Sequence, residues 1–418
     1  MWRPDGWAGN PAGGFSATIA KKRDTRTDPE ADALSFHLTE EQLEIRALAR
    51  EFAEGELCPH AQEWDVRREM DPEIFSKLGD LGFMGMRVPE SHGGLGFDLT
   101  TYLLVLEELA WGDAGVALGV AIHSGPVTGL LAEYGTSEQK DRYLPRLASG
   151  EIVGAFALSE PEAGSDAGAL ATSWRRAGEG RALTGTKKWV TNGARSGLVV
   201  LFAREGRDGR ISAFLLDPDL HTYQVGKREI TMGLSASETV ELHFDEVSLD
   251  HGALLGVEGA GFAYAMEALE IGRLGIAAQA TGISRAAYEH ARDYAEERVQ
   301  FGRKLSEFQA TRFKLAEMTT RIAGARALTF SAAAALDGST DPESHSPGAL
   351  AAMAKLTASE AAVWTADEAV QIFGGYGYMR HYPVERLLRD AKGTEIYEGT
   401  NEIMRLVIAR ESVGRAGA

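Results

Sequence analysis

Near its C-terminal end the chain runs Thr394-Glu395-Ile396-Tyr397-Glu398-Gly399-Thr400-Asn401-Glu402, which delivers one carboxylate between an aromatic ring and a glycine. That is a setting for a base. Tyr397 can exclude water and Gly399 lets backbone approach a ligand closely. A half-dehydrated Glu398 has its pKa raised into a range useful for taking a weakly acidic proton. Without chemistry, the segment is a solvated loop in which Thr400 caps a helix over Ile403 to Ala409.

Other residues could meet a ligand. Leu158 to Asp166 brings a proline and the Ser159 and Ser165 hydroxyls directly after an apolar strand, which suits a loop hydrogen-bonding a flat heteroaromatic ring, or an ordinary strand-end turn. Trp189 and Thr191 point the same way along a strand, so an indole and a hydroxyl can share one ligand, unless Trp189 is core. Arg298, followed by Gln300 and Phe301, offers planar bidentate pairing to a pyrophosphate, and Gly374-Gly375 after Gln371 lets backbone pass close to one. The alternatives are a solvated charge and a helix C-cap.

These residues need elements to position them. Thr39 with Gln42 and Thr136 with Gln139 are capping boxes, and Asp98 is an N-cap for Leu99 to Trp111. Leu43, Leu48 and Phe52 supply an apolar stripe, and Gly93-Gly94-Leu95-Gly96 is a turn, so residues 36–149 form a helical domain. Near Glu151 the period becomes two: Val240, Leu242 and Phe244 alternate with polar residues, and Ile211 to Leu216 and Leu198 to Phe202 are strands. Residues 150–250 are expected to be an antiparallel β domain. Helical period returns over 257–411. Phe262, Met266, Leu269, Arg273, Ile276, Ala280 and Ile283 draw one face, on which Arg273 must be paired or belong to a site. Further helices run from Ser306 to Leu336, with Leu315, Met318 and Ile322 on one face, and from Pro347 to Ile372. The fold class is α+β, mostly α.

Composition narrows the function. A chain of 418 residues has interior enough for a sizeable buried site that encloses a cofactor. With 61 acidic against 43 basic residues, a net charge of -18, it repels nucleic acid and anionic lipid surfaces. Cys58, the single cysteine, excludes an intrachain disulfide and is expected as a small packing residue. No apolar run is taken to be long enough to span a bilayer. Residues 1–33 look like a disordered tail without signal or transit character, which points to the cytoplasm.

The segments Phe156 to Asp166, Lys188 to Asn192, Met232-Gly233, Glu297 to Gly302, Gln371 to Gly377 and Ile396 to Thr400 together resemble the acyl-CoA dehydrogenase family, over about Leu38 to Glu411. The resemblance implies an N-terminal α domain, a middle β domain and a C-terminal four-helix bundle that tetramerises. It also implies FAD. Phe156, Leu158, Ser159 and Ser165 would line the flavin, with Trp189 and Thr191 against its ring. Arg298, Gln309, Gln371, Gly374 and Gly375 would hold its adenosine and pyrophosphate, partly across a subunit interface, aided by Gln300, Phe301, Thr400 and Glu402.

The implied reaction removes the α-proton of an acyl-CoA with Glu398 and the β-hydrogen as hydride. It gives a trans-2-enoyl-CoA and passes electrons to an electron-transfer flavoprotein. Ser165, Glu270, Arg273, Tyr397 and Gly399 would contact substrate, and no metal is implied. A minority of relatives place the base just before the arginine of the Arg273 helix, where this chain has Gly272. Glu270 to Ile276 looks most like short-chain or branched-chain members. Ser235 stands where many relatives have arginine, and Glu162 where many have glycine. A same-fold oxidase and, less so, a DNA-binding member are the alternatives.

Overall fold

The computed structural model describes residues 38–338 and 345–413; the expected N-terminal tail lies outside them. Among the described residues seven α-helices come first: α1 (Glu40–Phe52), α2 (Ala61–Arg67), α3 (Ile74–Asp80), α4 (Leu99–Gly112), α5 (Ala114–Ile122), α6 (Thr128–Tyr134) and α7 (Ser137–Ala148). Both capping boxes form, and the Asp98 carboxylate accepts the Thr101 N–H at 2.7 Å. The stripe on α1 is displaced. Leu43 and Leu48 are exposed, while Ile45, Ala49 and Phe52, spaced by four and three, meet the core. Cys58 is exposed, not a packing residue.

Eight strands follow: β1 (Val153–Ala157), β2 (Ser173–Ala177), β3 (Gly180–Thr191), β4 (Ser196–Glu205), β5 (Ile211–Leu216), β6 (Gln224–Arg228), β7 (Thr239–Leu249) and β8 (Leu254–Leu255). The sheet order is β6-β7-β3-β2-β4-β5-β8, with β1 also paired to β4. It is mixed rather than antiparallel, because β1 and β2 both run parallel to β4. Leu198 to Phe202 are buried throughout, and an apolar run covered on both faces carries no direction in its pattern.

The rest is helical. α8 (Gly261–Glu297) leads into a hairpin of β9 (Val299–Gln300) and β10 (Arg303–Lys304), then α9 (Gln309–Leu336), α10 (Pro347–Phe373), α11 (Pro383–Thr394) and α12 (Asn401–Val413). α9 starts three residues later than expected because Phe308 is extended. On α8 the predicted face is exposed at Phe262 and partly buried at Met266 and Leu269, then buried from Arg273 onward. One core joins Leu103 and Leu106 of α4 to Leu274, Ala280 and Ile283 of α8 and Ala358 and Ala362 of α10. The span Ala114–Tyr134 is long and apolar enough to cross a membrane, contrary to the expectation, but 94% of its most apolar stretch is buried within the protein.

Candidate active site

α11 ends at Thr394, and the Ile396 and Tyr397 N–H groups return to Gly393 O at 2.9 and 3.2 Å. The chain then turns through Glu398 (φ 54°) and Gly399 (φ 92°) into α12. Glu398 pays for a left-handed backbone that side chains avoid, a cost of about 1 to 3 kcal/mol that recurs at functional sites. Thr400 Oγ1 accepts the Ile403 N–H at 3.3 Å, so the capping role is real. Tyr397 OH donates to Gln279 Oε1 at 2.9 Å, and Gln279 Nε2 donates to Ala114 O at 2.7 Å.

The carboxylate this corner delivers is buried and lacks a hydrogen bond at Oε2. It rests on α8 where a side chain is missing: a Cβ on Gly272 would lie 2.5 Å from Oε2. Burial pushes Glu398 up to about 7, against the opposing pull of Arg273 and Lys355. Arg273 is itself buried with an unpartnered Nε, and burial lowers its pKa while Glu398 and Glu270 raise it. It forms no salt bridge among the described residues, so of the two roles open to it the site is favoured. Glu270 is half-buried with its pKa raised by burial, and its Oε1 lies 2.7 Å from a Cβ position on Gly348. The arrangement can take up a proton near neutral pH in a dry space flanked by two cations.

The strand loops close the other side. Phe156 and Tyr397 pack on one apolar cluster of Leu118, Ile122 and Ile276. Leu158 does not face this space; its side chain is core, and its carbonyl accepts from Lys187 Nζ at 2.9 Å. Lys187 also pairs with Glu160 at 2.7 Å, and the Glu160 carboxylate accepts the Ala171 and Thr172 N–H groups at 2.6 and 3.0 Å. Ser159 O accepts the Lys188 N–H at 2.9 Å. Ser165 lies exposed on the outer part of this loop. An irregularity in the β3–β7 pairing between Lys187 and Val190 puts Trp189 at φ 57° and leaves it 51% exposed, so it is not core; Thr191, half-buried, lies two residues on.

A cavity of about 530 Å³ lies between the end of α8 and the end of α10, lined among others by Arg298, Gln300, Tyr376, Gly374 and Gly375. The Arg298 guanidinium lies 5.3 Å over the Tyr376 ring. Gly374 has φ 61°, and a Cβ on Gly374 or Gly375 would meet nothing within 4 Å, so bare backbone is open to a ligand. These residues fit a pyrophosphate. Phe301, 95% exposed, and the exposed Gln309 and Gln371 are outside this lining. Thr400 and Glu402 line a separate cavity of about 170 Å³, and Glu402 is mostly exposed. The nucleotide-side set is therefore gathered only in part.

Sequence reasoning missed Lys355, Gln279 and the Lys187–Glu160 pair. Lys355 and Gln279 are fully buried on long helices, and Lys187 of β3 is fully buried against Glu160 of the loop after β1; residue type alone does not set them apart from solvated positions. It also left open what replaces the arginine absent at Ser235. Arg389 of α11 grips Asp65 of α2 in a fork of 2.9 and 2.6 Å and donates to Met232 O at 3.2 Å.

Family models for the acyl-CoA dehydrogenase N-terminal, middle and C-terminal domains match residues 39–151, 155–247 and 259–413. An acyl-CoA dehydrogenase of Bacillus subtilis is 46% identical over 91% of this chain and all of its own length. A short-chain specific acyl-CoA dehydrogenase of Clostridium acetobutylicum is 42% identical over 90% of this chain and 99% of its own. The butyryl-CoA dehydrogenase structure from Megasphaera elsdenii superposes with a TM-score of 0.86 at 40% identity, over 90% of this chain and 98% of that one. A chain from work on the electron transferring flavoprotein of Acidaminococcus fermentans reaches 0.88 at 42% identity, over 91% and 100%. With three domain models matched in order and these relatives spanning nearly their full length, the chain belongs to the acyl-CoA dehydrogenase family, a family of FAD-dependent oxidoreductases.

Proposed function

We propose that the chain dehydrogenates a short acyl-CoA to its trans-2-enoyl-CoA, with Glu398 as the base. The observation that carries this is the Glu398 carboxylate, buried, without a partner at Oε2 and raised to about 7. Glu398 takes the α-proton of the thioester. Its backbone N–H is offered to the thioester oxygen as negative charge gathers there, an effect often worth about 3 to 4 kcal/mol per donor. FAD, when bound, supplies the acceptor for the β-hydrogen and its electron pair. Arg298, Gln300, Gly374 and Gly375 hold its pyrophosphate side, and Trp189, Thr191, Ser159 and Ser165 flank its ring. Phe156, Tyr397 and Ile276 exclude water between ring and base. Phe301, Gln309 and Gln371, on the outer surface, and Thr400 and Glu402 serve FAD across a subunit interface. Glu270, Arg273 and Gly399 contact the substrate.

The short chain is supported by Tyr102 of α4. This ring is fully buried, and its hydroxyl donates to Ala121 O at 3.3 Å. The hydroxyl fills space beside two bare glycines: a Cβ on Gly125 would lie 3.1 Å from it and one on Gly275 3.3 Å. Gly275 is three residues along α8 from the Gly272 that supports the base, about 4.5 Å of helix. The phenol therefore stops the crevice soon after the reacting carbons. The three units at 36–149, 150–250 and 257–411 act together in a homotetramer that hands electrons to an electron-transfer flavoprotein, and the lone cysteine suits the reducing cytoplasm.

The test is turnover of butyryl-CoA with product identified by mass. Butenoyl-CoA formed with a dye or an electron-transfer flavoprotein as acceptor, without stoichiometric peroxide, is expected. Stoichiometric peroxide would make the enzyme an oxidase, and the absence of any enoyl product would overturn the reading.

A further inference from the structure

Lys355 lies in the first half of α10, fully buried on a face that also carries Ala351, Ala352, Ala358, Ser359 and Ala362. Its Nζ donates to Gly399 O at 2.8 Å and to Asn401 Oδ1 at 2.9 Å. Ser359 Oγ donates to the same Asn401 oxygen at 3.1 Å. Neither acceptor of the ammonium is a carboxylate, although a buried cation is costly unless an anion compensates it. The acids that face it are Glu398 foremost, then Glu395 and Glu402, with Arg273 of α8 opposing.

We propose that Lys355 is a positioning residue for the base: its hydrogen bond to Gly399 O fixes the Glu398–Gly399 corner, and its charge holds the Glu398 carboxylate ionised. This rests on the dehydrogenase reading and deepens it. A left-handed non-glycine residue such as Glu398 persists only where its surroundings over-determine it, and a buried tether on the carbonyl of the next residue does that. The groups facing the carboxylate are Arg273 from α8, Lys355 from α10, the Tyr102 hydroxyl from α4 and its own neighbour Tyr397. Only the first two are positive. Arg273 acts on Glu398 from α8 by charge, whereas Lys355 also bonds the backbone of the corner, so one side chain sets both geometry and charge.

The sign follows from charge alone. Removing a cation makes the carboxylate bind its proton more tightly, so the acid limb of kcat/KM moves to higher pH. A variant that merely loosened packing would lower activity at every pH and leave the limb where it was. The test uses FAD-loaded enzyme, with flavin content checked by absorbance, and butyryl-CoA from roughly pH 5 to 9. Lys355→Met is expected to move the acid limb up by a unit or more, about a tenfold loss below it. Lys355→Gln, which keeps a donor for Gly399 O and preserves the fold if the methionine variant does not, should shift the limb likewise. Lys355→Arg should leave it in place. A limb unmoved in folded, flavin-loaded Lys355→Gln would overturn the role of Lys355 while the dehydrogenase reading stands. Wild-type enzyme inert toward every acyl-CoA would overturn both.

Discussion

On the proposed reading Glu398 carries the chemistry, because its surroundings disfavour its charge and yet supply two cations to bring that charge back within reach. With its pKa pushed up to about 7, the base is protonated on the acid side and free on the alkaline side. Activity measured as kcat/KM should therefore rise with pH through a limb near neutrality, and a flat profile from roughly pH 5 to 8 would contradict the assignment. The same carboxylate explains Gly272. An added methyl group there would meet Oε2, the far end of a flexible side chain, so the carboxylate would swing aside and the fold would survive. Gly272→Ala is expected to hold or raise Tm, since alanine favours a helix by about 1 kcal/mol, while turnover falls at least tenfold; unchanged turnover would show that the base does not rest there. Much of this site was legible. A carboxylate between tyrosine and glycine, and an arginine on an apolar stripe, declare themselves by residue type. Lys355 does not, because a lysine among alanines on a long helix has the same pattern whether it points to solvent or into the protein. Leu158 misled in the other direction: its segment matters for the loop, but its side chain belongs to the core.

Among the elements, α8 does most of the positioning. Gly272, Arg273, Gly275 and Gln279 lie within about two turns and respectively make room for the Glu398 carboxylate, face it with charge, adjoin the Tyr102 hydroxyl and hold Tyr397. The caps and the helical period made this helix and its neighbours readable. The direction of β1 and β2 against β4 was not, since parallel and antiparallel partners bury the same apolar run. If Tyr102 closes the crevice, Tyr102→Leu should raise the kcat/KM ratio of octanoyl-CoA over butyryl-CoA about tenfold or more, the scale of methylene discrimination in an apolar site. An unchanged ratio in a folded, flavin-loaded variant would place the floor elsewhere. A buried ion pair is among the bonds that hold the loop after β1. Lys187→Met strands the Glu160 carboxylate in the interior, which should cost about 3 to 5 kcal/mol, seen as a lower Tm and faster loss of flavin in dialysis.

At the scale of the whole molecule, buried ionic networks tie the helical layers together. Arg285 of α8 pairs with Glu107 and Glu108 of α4 at 2.6 and 2.7 Å, Arg50 of α1 reaches Glu108 at 3.1 Å, and Arg326 of α9 reaches Glu107 at 3.1 Å. Arg285 and Arg50 hold the Glu108 carboxyl well below its ordinary value of 4.5 despite the burial that opposes them. The stability this contributes is present above that value and lost as pH falls below it, so acid unfolding should set in below about pH 4.5 and be eased in Arg285→Met. A Tm of the variant equal to that of the wild type at pH 7 would show the network to be inert. The central claim, that one buried carboxylate drives the chemistry, is tested most directly by mixing FAD-loaded protein with butyryl-CoA without oxygen and following the yellow absorbance. The wild type should bleach, and Glu398→Gln should retain its flavin and its colour, slowed by several orders of magnitude. A Glu398→Gln protein that bleaches at the wild-type rate would contradict the account.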